Sequence, residues 1–374
     1  MVFDFKSLWT SFRTGAHGVL RRHPVELLLA AGLSAALVLC YECDWELDVR
    51  LAAVGWGAVL LLAVNLLTGR TPWRRLYWVA WAPLVPLALW PGFGAWLESA
   101  RGAITVGLLT PLALLACRRA VANRRFVFDT VILLRAALLA LLFAYVALGL
   151  FQAILWSAAY IFGFGGAAWV EHAAVDTWIV TSTFVVPLLF MMMLDRWERS
   201  EVHGTRILEV LLDWIVSPAV LIYAAILYLY AFKILVTWSL PEGGVAYLVF
   251  GFTSVALAVK ALQELLGRRI YGWFYDRLSL FALPAAVLFW IGTLRRVGEY
   301  GLTEPRVYLV VCGAVMTFCL AIFLSRRTGR YLWVVLFAML LFAAVAYVPA
   351  LEPGRVAVRS QQARAERIAR SLDR

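Results

Sequence analysis

Charge is scarce in this sequence. Of its 374 residues, 15% are Asp, Glu, Lys or Arg, whereas 63% are hydrophobic. A soluble domain contains roughly a quarter charged residues, so this composition excludes an ordinary soluble fold. The apolar stretches also lack the alternation of polar and apolar residues that is typical of membrane β-barrel strands. The composition therefore predicts an all-α protein, a polytopic bundle of helices that cross a lipid bilayer.

Reactive side chains are scarce as well. The sequence has five cysteines and four histidines, without an HExxH motif, a Walker loop or a triad-like arrangement. Cys40 and Cys43 would permit a disulfide in an oxidising compartment, but their spacing alone is a weak signal. The stretch DRWERSEVHGTR at 195–206 offers carboxylates and His203 without the spacing of a known metal site. We therefore predict no catalytic residue, metal or cofactor, and no nucleic-acid partner.

Eleven apolar stretches come close to the roughly 20 residues that a helix needs to cross the hydrocarbon core. The sequence predicts one multi-pass domain over residues 1–350 with ten to eleven spans, followed by a basic, helical tail over 351–374. The first stretch is expected to stay as an anchor, because no cleavage pattern follows it. The predicted spans are 25–41, 51–67, 76–90, 103–117, 136–160, 175–194, 216–236, 245–260, 278–294, 306–324 and 331–349.

The net charge of +11 is explained by the loops between the spans. Over the first nine regions, loops rich in arginine alternate with loops that are poor in it. Lys and Arg concentrate on the cytoplasmic side of bacterial membranes. The alternation therefore predicts a bacterial inner-membrane protein with a cytoplasmic N-terminus.

The alternation fails at RRVGEYGLTEPRVY, residues 295–308. If 278–294 crosses the membrane, this arginine-rich loop and the basic tail both lie outside. One alternative is that a late segment does not cross, for which the short span with Pro284 is a candidate as a re-entrant or broken helix. The other is that the loop forms a polar site on the outer face.

The candidate polar site is built around this loop. Lys233 lies in an apolar run, where a charge must either reach the interface or be paired. It would pair with an acid such as Glu242, Glu299 or Glu304. Thr303 and Pro305 fit the start of the next helix, and the remaining charges fit either a salt-bridged hairpin or a site for an anion or lipid headgroup. The members of the candidate site are Lys233, Arg295, Arg296, Glu299, Tyr300, Glu304 and Arg306.

Other basic residues are expected to contact the bilayer, through its anionic headgroups, or an unidentified membrane protein partner. The RRIYGWFYDR segment has the basic and aromatic mixture of an interfacial helix, and the tail is rich in arginine. The residues predicted to make these contacts are Arg268, Arg269, Arg359, Arg364 and Arg367.

Three stretches together resemble one known family. They are LYLYAFKILVTWSLPEGGVAYLV, RRVGEYGLTEPRVY and VAVRSQQARAERI, all in the C-terminal half. They resemble the bacterial polytopic membrane family known as domain-of-unknown-function family number 4153. The resemblance implies an inner-membrane protein and no particular reaction. Relatives commonly continue beyond the RSQ segment into a polar region.

Three functional classes fit the sequence. A membrane scaffold, sensor or assembly module needs no reactive residue and is the interpretation we favour. A secondary transporter would place polar residues and interrupted helices at the bilayer midplane, and the sequence shows few such residues and no convincing repeat. A membrane enzyme acting on a lipid-linked substrate would need facing carboxylates at one interface, for which the 295–306 stretch with Lys233 is the candidate.

Overall fold

The structure is a computed structural model that describes residues 5–69, 71–163, 167–198, 206–237, 245–325 and 327–372. Within these residues it contains helices and no strand, which confirms the all-α prediction. The helices are α1 (Phe5–Arg22), α2 (Pro24–Glu42), α3 (Leu51–Thr68), α4 (Arg74–Tyr77), α5 (Leu84–Leu89), α6 (Phe93–Glu98), α7 (Ala100–Ile104), α8 (Thr110–Cys117), α9 (Asn123–Ile161), α10 (Ala168–Val180), α11 (Val186–Glu198), α12 (Arg206–Val210), α13 (Ser217–Thr237), α14 (Val245–Gln263), α15 (Gly272–Asp276), α16 (Leu278–Tyr300), α17 (Glu304–Ile322), α18 (Tyr331–Tyr347) and α19 (Pro353–Leu372).

Several of these helices join into longer rods. Wider, π-helical turns at Thr105–Leu109, Thr181–Val185 and Leu211–Val216 connect α7 with α8, α10 with α11, and α12 with α13. Within the described residues, nine helical stretches are long and apolar enough to cross a membrane, and α18 is a shorter apolar helix. These stretches agree with the prediction of ten to eleven spans.

The predicted span 76–90 is wrong as a single helix. The chain there forms α4 and α5, joined by turns whose hydrogen bonds run from residue i+3 to residue i, as from the Leu84 N–H to the Trp81 carbonyl at 2.9 Å. Pro83 and Pro86 both lack the N–H donor that a regular helix uses, and two missing donors three residues apart disfavour a continuous helix through this stretch. Mean hydropathy does not reveal this interruption, because it averages the prolines with their apolar neighbours.

The interrupted stretch nevertheless extends along α3. Tyr77 lies beside Glu26, near the end of α3, whereas a Cβ added at Gly57 would lie 2.7 Å from the Leu84 side chain. Further on, a Cβ at Gly94 would lie 3.5 Å from Val49, which precedes α3. The segment 74–98 therefore runs antiparallel to α3 over the length of that helix.

The described chain divides into two compact units. The first comprises residues 1–106, 113–118 and 129–201. In it, α2 packs against α3 and α10, and α1 packs against α11. Val19 of α1, Leu27 of α2 and Met191 of α11 form one buried cluster. This arrangement brings the C-terminal ends of α1, α3 and α11 close to the beginning of α2.

The second unit comprises residues 107–112, 119–128 and 202–374. Its core lies between α13, α14, α16 and α17, where Ala256 and Ala282 are fully buried. A Cβ at Gly313 would overlap the ring of Phe289, so α17 approaches α16 closely at that glycine. Small residues at such contacts are typical of helix packing in membranes, where close van der Waals contact drives association.

The helix α16 is continuous despite Pro284. It extends over 23 residues, which corresponds to about 35 Å and exceeds the thickness of a bilayer core. In the turn that the proline disturbs, the Tyr228 hydroxyl donates a hydrogen bond to the Phe281 carbonyl. Supplementary bonds of this kind allow prolines within membrane helices. A broken or re-entrant helix at 278–294 is therefore not what the structure shows.

Candidate functional site

The turn between α16 and α17 is held by its own backbone. Gly301 adopts a φ of 74°, a conformation that favours glycine, and its N–H donates to the Val297 carbonyl at 2.9 Å. Arg306, in the first turn of α17, donates from Nη1 to the Gly301 carbonyl at 2.7 Å. The GLTEPR sequence is thus a helix end followed at once by a helix start. Thr303 occupies the predicted N-cap position, although its side chain makes no capping bond.

The tail helix α19 binds this turn through four hydrogen bonds. The Leu302 N–H donates to Ser360 Oγ at 2.8 Å, and Gln361 Nε2 donates to the Tyr300 and Leu302 carbonyls at 3.0 and 3.2 Å. Arg364 Nη1 donates to the Tyr300 carbonyl at 3.2 Å. The end of a helix leaves backbone carbonyls without partners, and α19 supplies the donors for them. We call this contact between α19 and residues 300–302 the clasp.

Charges and a ring reinforce the clasp. The guanidinium groups of Arg306 and Arg364 lie 5.4 and 5.9 Å from the centre of the Tyr300 ring, within the range of cation–π attraction. The Glu304 carboxylate lies 3.1 Å from the position that a Cβ of Gly354 would occupy, at the start of α19. A negative charge is favourable at a helix N-terminus. The Glu304 carboxylate therefore stabilises the N-terminus of α19 as well as that of its own helix, α17.

The structure brings together only part of the predicted polar site. Tyr300, Glu304 and Arg306 meet at the clasp, and Arg295 forms an exposed ion pair with Glu299 at 2.8 Å, one helical turn away. Arg296 is half-buried on α16, and Lys233 is exposed on α13. The described residues show no bond between Lys233 and the turn, and Glu242 lies outside the described residues. The pairing of Lys233 with an acid stays a prediction.

The basic residues predicted to meet headgroups or a partner lie in different surroundings. Arg359 and Arg367 are exposed on α19, whereas Arg364 is directed into the clasp. Arg268 is exposed, and Arg269 forms ion pairs with Glu264 and Asp276 at 3.1 and 4.0 Å. Arg359, Arg367 and Arg268 are therefore the members of this set that are available for an external contact.

A second cluster of charges, in the first unit, was missed by the sequence analysis. His23, Glu26 and Asp195 are all buried. The His23 ring nitrogens lie 3.5 Å from Glu26 Oε1 and 3.4 Å from Asp195 Oδ1, and Arg22 Nη1 donates to the same Asp195 oxygen at 3.2 Å. The stretch considered for a metal thus contributes Asp195 to an ion-pair network, and His203 lies outside the described residues.

Two neutral side chains complete this network. Asn65 Nδ2 donates to Glu26 Oε1 at 2.9 Å and to the Arg22 carbonyl at 2.8 Å. The Tyr77 hydroxyl donates to the other oxygen of Glu26 and accepts the Val25 N–H at 3.2 Å. Residues from α2, α3 and α4 therefore meet around the Glu26 carboxylate, and His23 links this carboxylate to Asp195 on α11. We call Arg22, His23, Glu26, Asn65, Tyr77 and Asp195 the ion network.

The environment of His23 favours its charged form. Burial by itself lowers the pKa of His23, but the hydrogen bonds with Asp195 and Glu26 outweigh burial and raise the pKa to about 9. His23 is therefore positive at neutral pH, and with Arg22 it balances the two carboxylates. One sequence signal pointed to the network: Glu26 lies within an apolar run, where a charge requires partners.

The comparisons with known proteins agree with the resemblance noted in the sequence. A model of the family described as "Domain of unknown function (DUF4153)" matches residues 27–374. An uncharacterized protein of Pasteurella multocida (strain Pm70) is 31% identical over 255 residues, which is 67% of this chain and 43% of that protein. The chain thus spans less than half the length of this relative. No solved structure matches. The family match covers nearly the whole chain, the resemblance is confirmed, and the chain belongs to the DUF4153 family.

Proposed function

We propose that the protein is a membrane scaffold or assembly module, without enzymatic activity, that presents α19 to another membrane protein. The observation that carries this proposal is the clasp. Four hydrogen bonds and an aromatic ring fix α19 at one end of the second unit, which leaves most of its surface exposed. A helix that is held in place in advance loses less conformational entropy on binding than a free tail does.

The exposed surface of α19 has the chemistry of a binding surface. The helix contains five arginines and one glutamate, and Arg359 and Arg367 are exposed together with Val358 and Ile368. Exposed arginine and aliphatic side chains on one helix fit an acidic partner that also has an apolar contact, and arginine is enriched in protein interfaces. Such a scaffold requires no reactive group, and its specificity lies in these exposed side chains.

The test is a photo-cross-linking experiment in intact cells. A photoreactive amino acid at Arg359 or Ile368 should give a discrete protein adduct, whereas one at Leu138, exposed on α9, should give lipid adducts. The double substitution Gln361→Ala and Arg364→Ala should remove the protein adduct, because it releases α19 from residues 300–302. Adducts that persist in this variant, or that are equal at all three positions, would contradict the proposal.

We further propose the bacterial inner membrane as the location and a cytoplasmic N-terminus. The loop alternation supports this orientation. With α16 continuous and the segment 74–98 counted as a pass, the proposed orientation implies that the clasp lies outside. The test replaces the five native cysteines and introduces one at Thr303 or Gln362. Both should react with an impermeant thiol reagent added to intact cells. Failure of both to react would place the clasp in the cytoplasm.

Secondary transport is the second candidate, and one observation favours it. The interrupted segment 74–98 contributes Tyr77 to the buried ion network, and interrupted helices beside buried charges are typical of transporters. A transporter that uses this network should move protons across proteoliposomes under an imposed pH gradient, and Glu26→Gln should abolish the flux. Equal proton leak in wild-type, variant and protein-free vesicles would exclude proton coupling through the network.

A further inference from the structure

The stretch between residues 69 and 97 carries charge of one sign. It contains three arginines and five tryptophans, with no Asp or Glu. Arg74 and Arg75 are exposed, and Trp73 is 69% exposed. Arginine and tryptophan side by side are typical of the boundary between a bilayer and water. The composition therefore indicates a surface that contacts anionic groups and apolar groups at the same time.

Tyr77 fixes the position of this surface along the bilayer normal. Tyr77 is buried, whereas the residues immediately before and after it are exposed. Its hydroxyl binds Glu26 and the Val25 N–H in the first turn of α2, close to the end of α3. Helix ends mark the level of the headgroups in a protein whose helices cross the membrane. Tyr77 thus holds the adjoining arginines at headgroup level.

A cleft lies beside the arginines. It is open, has a volume of about 580 Å³, and is lined by Pro72, Trp73, Arg75, Leu76 and Val79. This volume falls within the ~300–1,000 Å³ typical of small-molecule sites. The lining combines one arginine with aromatic and aliphatic side chains. The cleft is therefore matched to a molecule with one anionic end and one apolar end.

We propose that this cleft binds one anionic phospholipid. The guanidinium of Arg75, with Arg74 next to it, pairs with the phosphate, a geometry for which arginine is well suited. Trp73 lies against the glycerol region, and Leu76 and Val79 contact the first part of an acyl chain. The site is on a different segment from α19, so it does not depend on the function proposed for that helix.

Binding to the purified protein in detergent tests the proposal. Native mass spectrometry would compare dioctanoyl phosphatidylglycerol, dioctanoyl phosphatidylcholine and glycerol 3-phosphate. We expect phosphatidylglycerol to bind at least tenfold more tightly than either of the others. Substitution of Arg74 and Arg75 by Gln should weaken its binding about 30-fold, since each arginine near anionic headgroups contributes about 1 kcal/mol.

Matched variants distinguish lipid binding in the cleft from a nonspecific effect of positive charge. Arg13→Gln with Arg21→Gln removes the same charge from exposed positions of α1 and should leave binding within about twofold. Leu76→Ser with Val79→Ser keeps both arginines and should still weaken lipid binding, because the acyl contact is lost. All variants must keep the wild-type thermal midpoint in lipid-free detergent. If the double arginine variant does not, Arg75→Gln alone replaces it, with an expected weakening of about fivefold.

Three results would overturn the proposal. The first is equal binding of phosphatidylglycerol and phosphatidylcholine, which would show that the cleft does not distinguish an anionic headgroup from a zwitterionic one. The second is glycerol 3-phosphate binding as tightly as the lipid, which would make the cleft a site for free phosphate. The third is an unchanged affinity after both arginines are replaced.

Discussion

His23→Gln is the perturbation that tests the ion network most directly. The imidazolium of His23 lies between two buried carboxylates, Glu26 and Asp195, with Arg22 beside one of them and Tyr77 beside the other. Glutamine keeps hydrogen-bonding capacity at this position but cannot carry the charge. The two carboxylates would then be balanced by Arg22 alone.

The magnitude follows from the pKa of His23. Folding raises the pKa of His23 from 6.5 to about 9. Each pKa unit corresponds to 1.36 kcal/mol, so the charged form of His23 contributes about 3 kcal/mol to the free energy of unfolding. Because the pKa is raised on folding, this contribution is complete below pH 6.5. It decreases as the pH rises from 6.5 to 9, and it is absent above pH 9.

The assay is thermal unfolding of the purified protein in detergent at pH 6 and at pH 9.5. At pH 6 we expect the midpoint of His23→Gln to lie on the order of 5 °C below that of the wild type. At pH 9.5 the two midpoints should nearly coincide. His17→Gln is the control, because His17 is exposed on α1 and its removal should change neither value. A difference between wild type and His23→Gln that is the same at both pH values would refute the argument.

Three other predictions concern packing and pairing. Asp195→Asn breaks the buried ion pair with His23 and should reduce stability by about 3–5 kcal/mol, read from the thermal midpoint. Asp48→Asn, in an exposed pair with Arg50, should change stability by less than about 1 kcal/mol in the same assay. Gly301→Ala should release α19 and speed its cleavage by trypsin. The added Cβ would lie 2.9 Å from Gln361 Nε2, and the backbone φ of 74° is unfavourable for alanine. Gly298→Ala is the control and should leave cleavage unchanged, because its Cβ would have nothing within 4 Å. Gly313→Ala should destabilise the second unit by about 1–3 kcal/mol through overpacking, and an unaltered midpoint would contradict the close approach of α16 and α17.

The long helices were predictable because hydropathy is a local property. Each span needs only its own residues to be apolar, and the positions of α2 and α3 follow from that. The helix α9 begins at Asn123, well before the predicted span 136–160, because its first turns carry charged residues. The stretch 76–90 was misjudged for the same reason, since an average over apolar residues does not register the donors that Pro83 and Pro86 lack. The error therefore came from backbone hydrogen bonding and not from polarity.

The candidate sites were less predictable, because they join distant residues. The motif at 295–308 was singled out for its charges, yet its main contacts are backbone carbonyls that receive donors from Gln361 and Arg364. Every residue has a backbone carbonyl, so the composition does not show which carbonyls accept hydrogen bonds. The ion network joins His23 with Asp195, which is 172 residues further along the chain, so its geometry exists only once the helices have packed.

The clasp has a consequence for how the protein is made. The carbonyl of Tyr300 receives its donors from residues 61 and 64 positions later. At a synthesis rate of about 5–20 residues per second, the turn is complete for roughly 3–13 seconds before its partners leave the ribosome. During that interval α17 and α18 are synthesised while the carbonyls at the end of α16 still lack these donors. Docking of α19 therefore follows the synthesis of both helices, and a chain truncated before Gln361 would keep an exposed helix end.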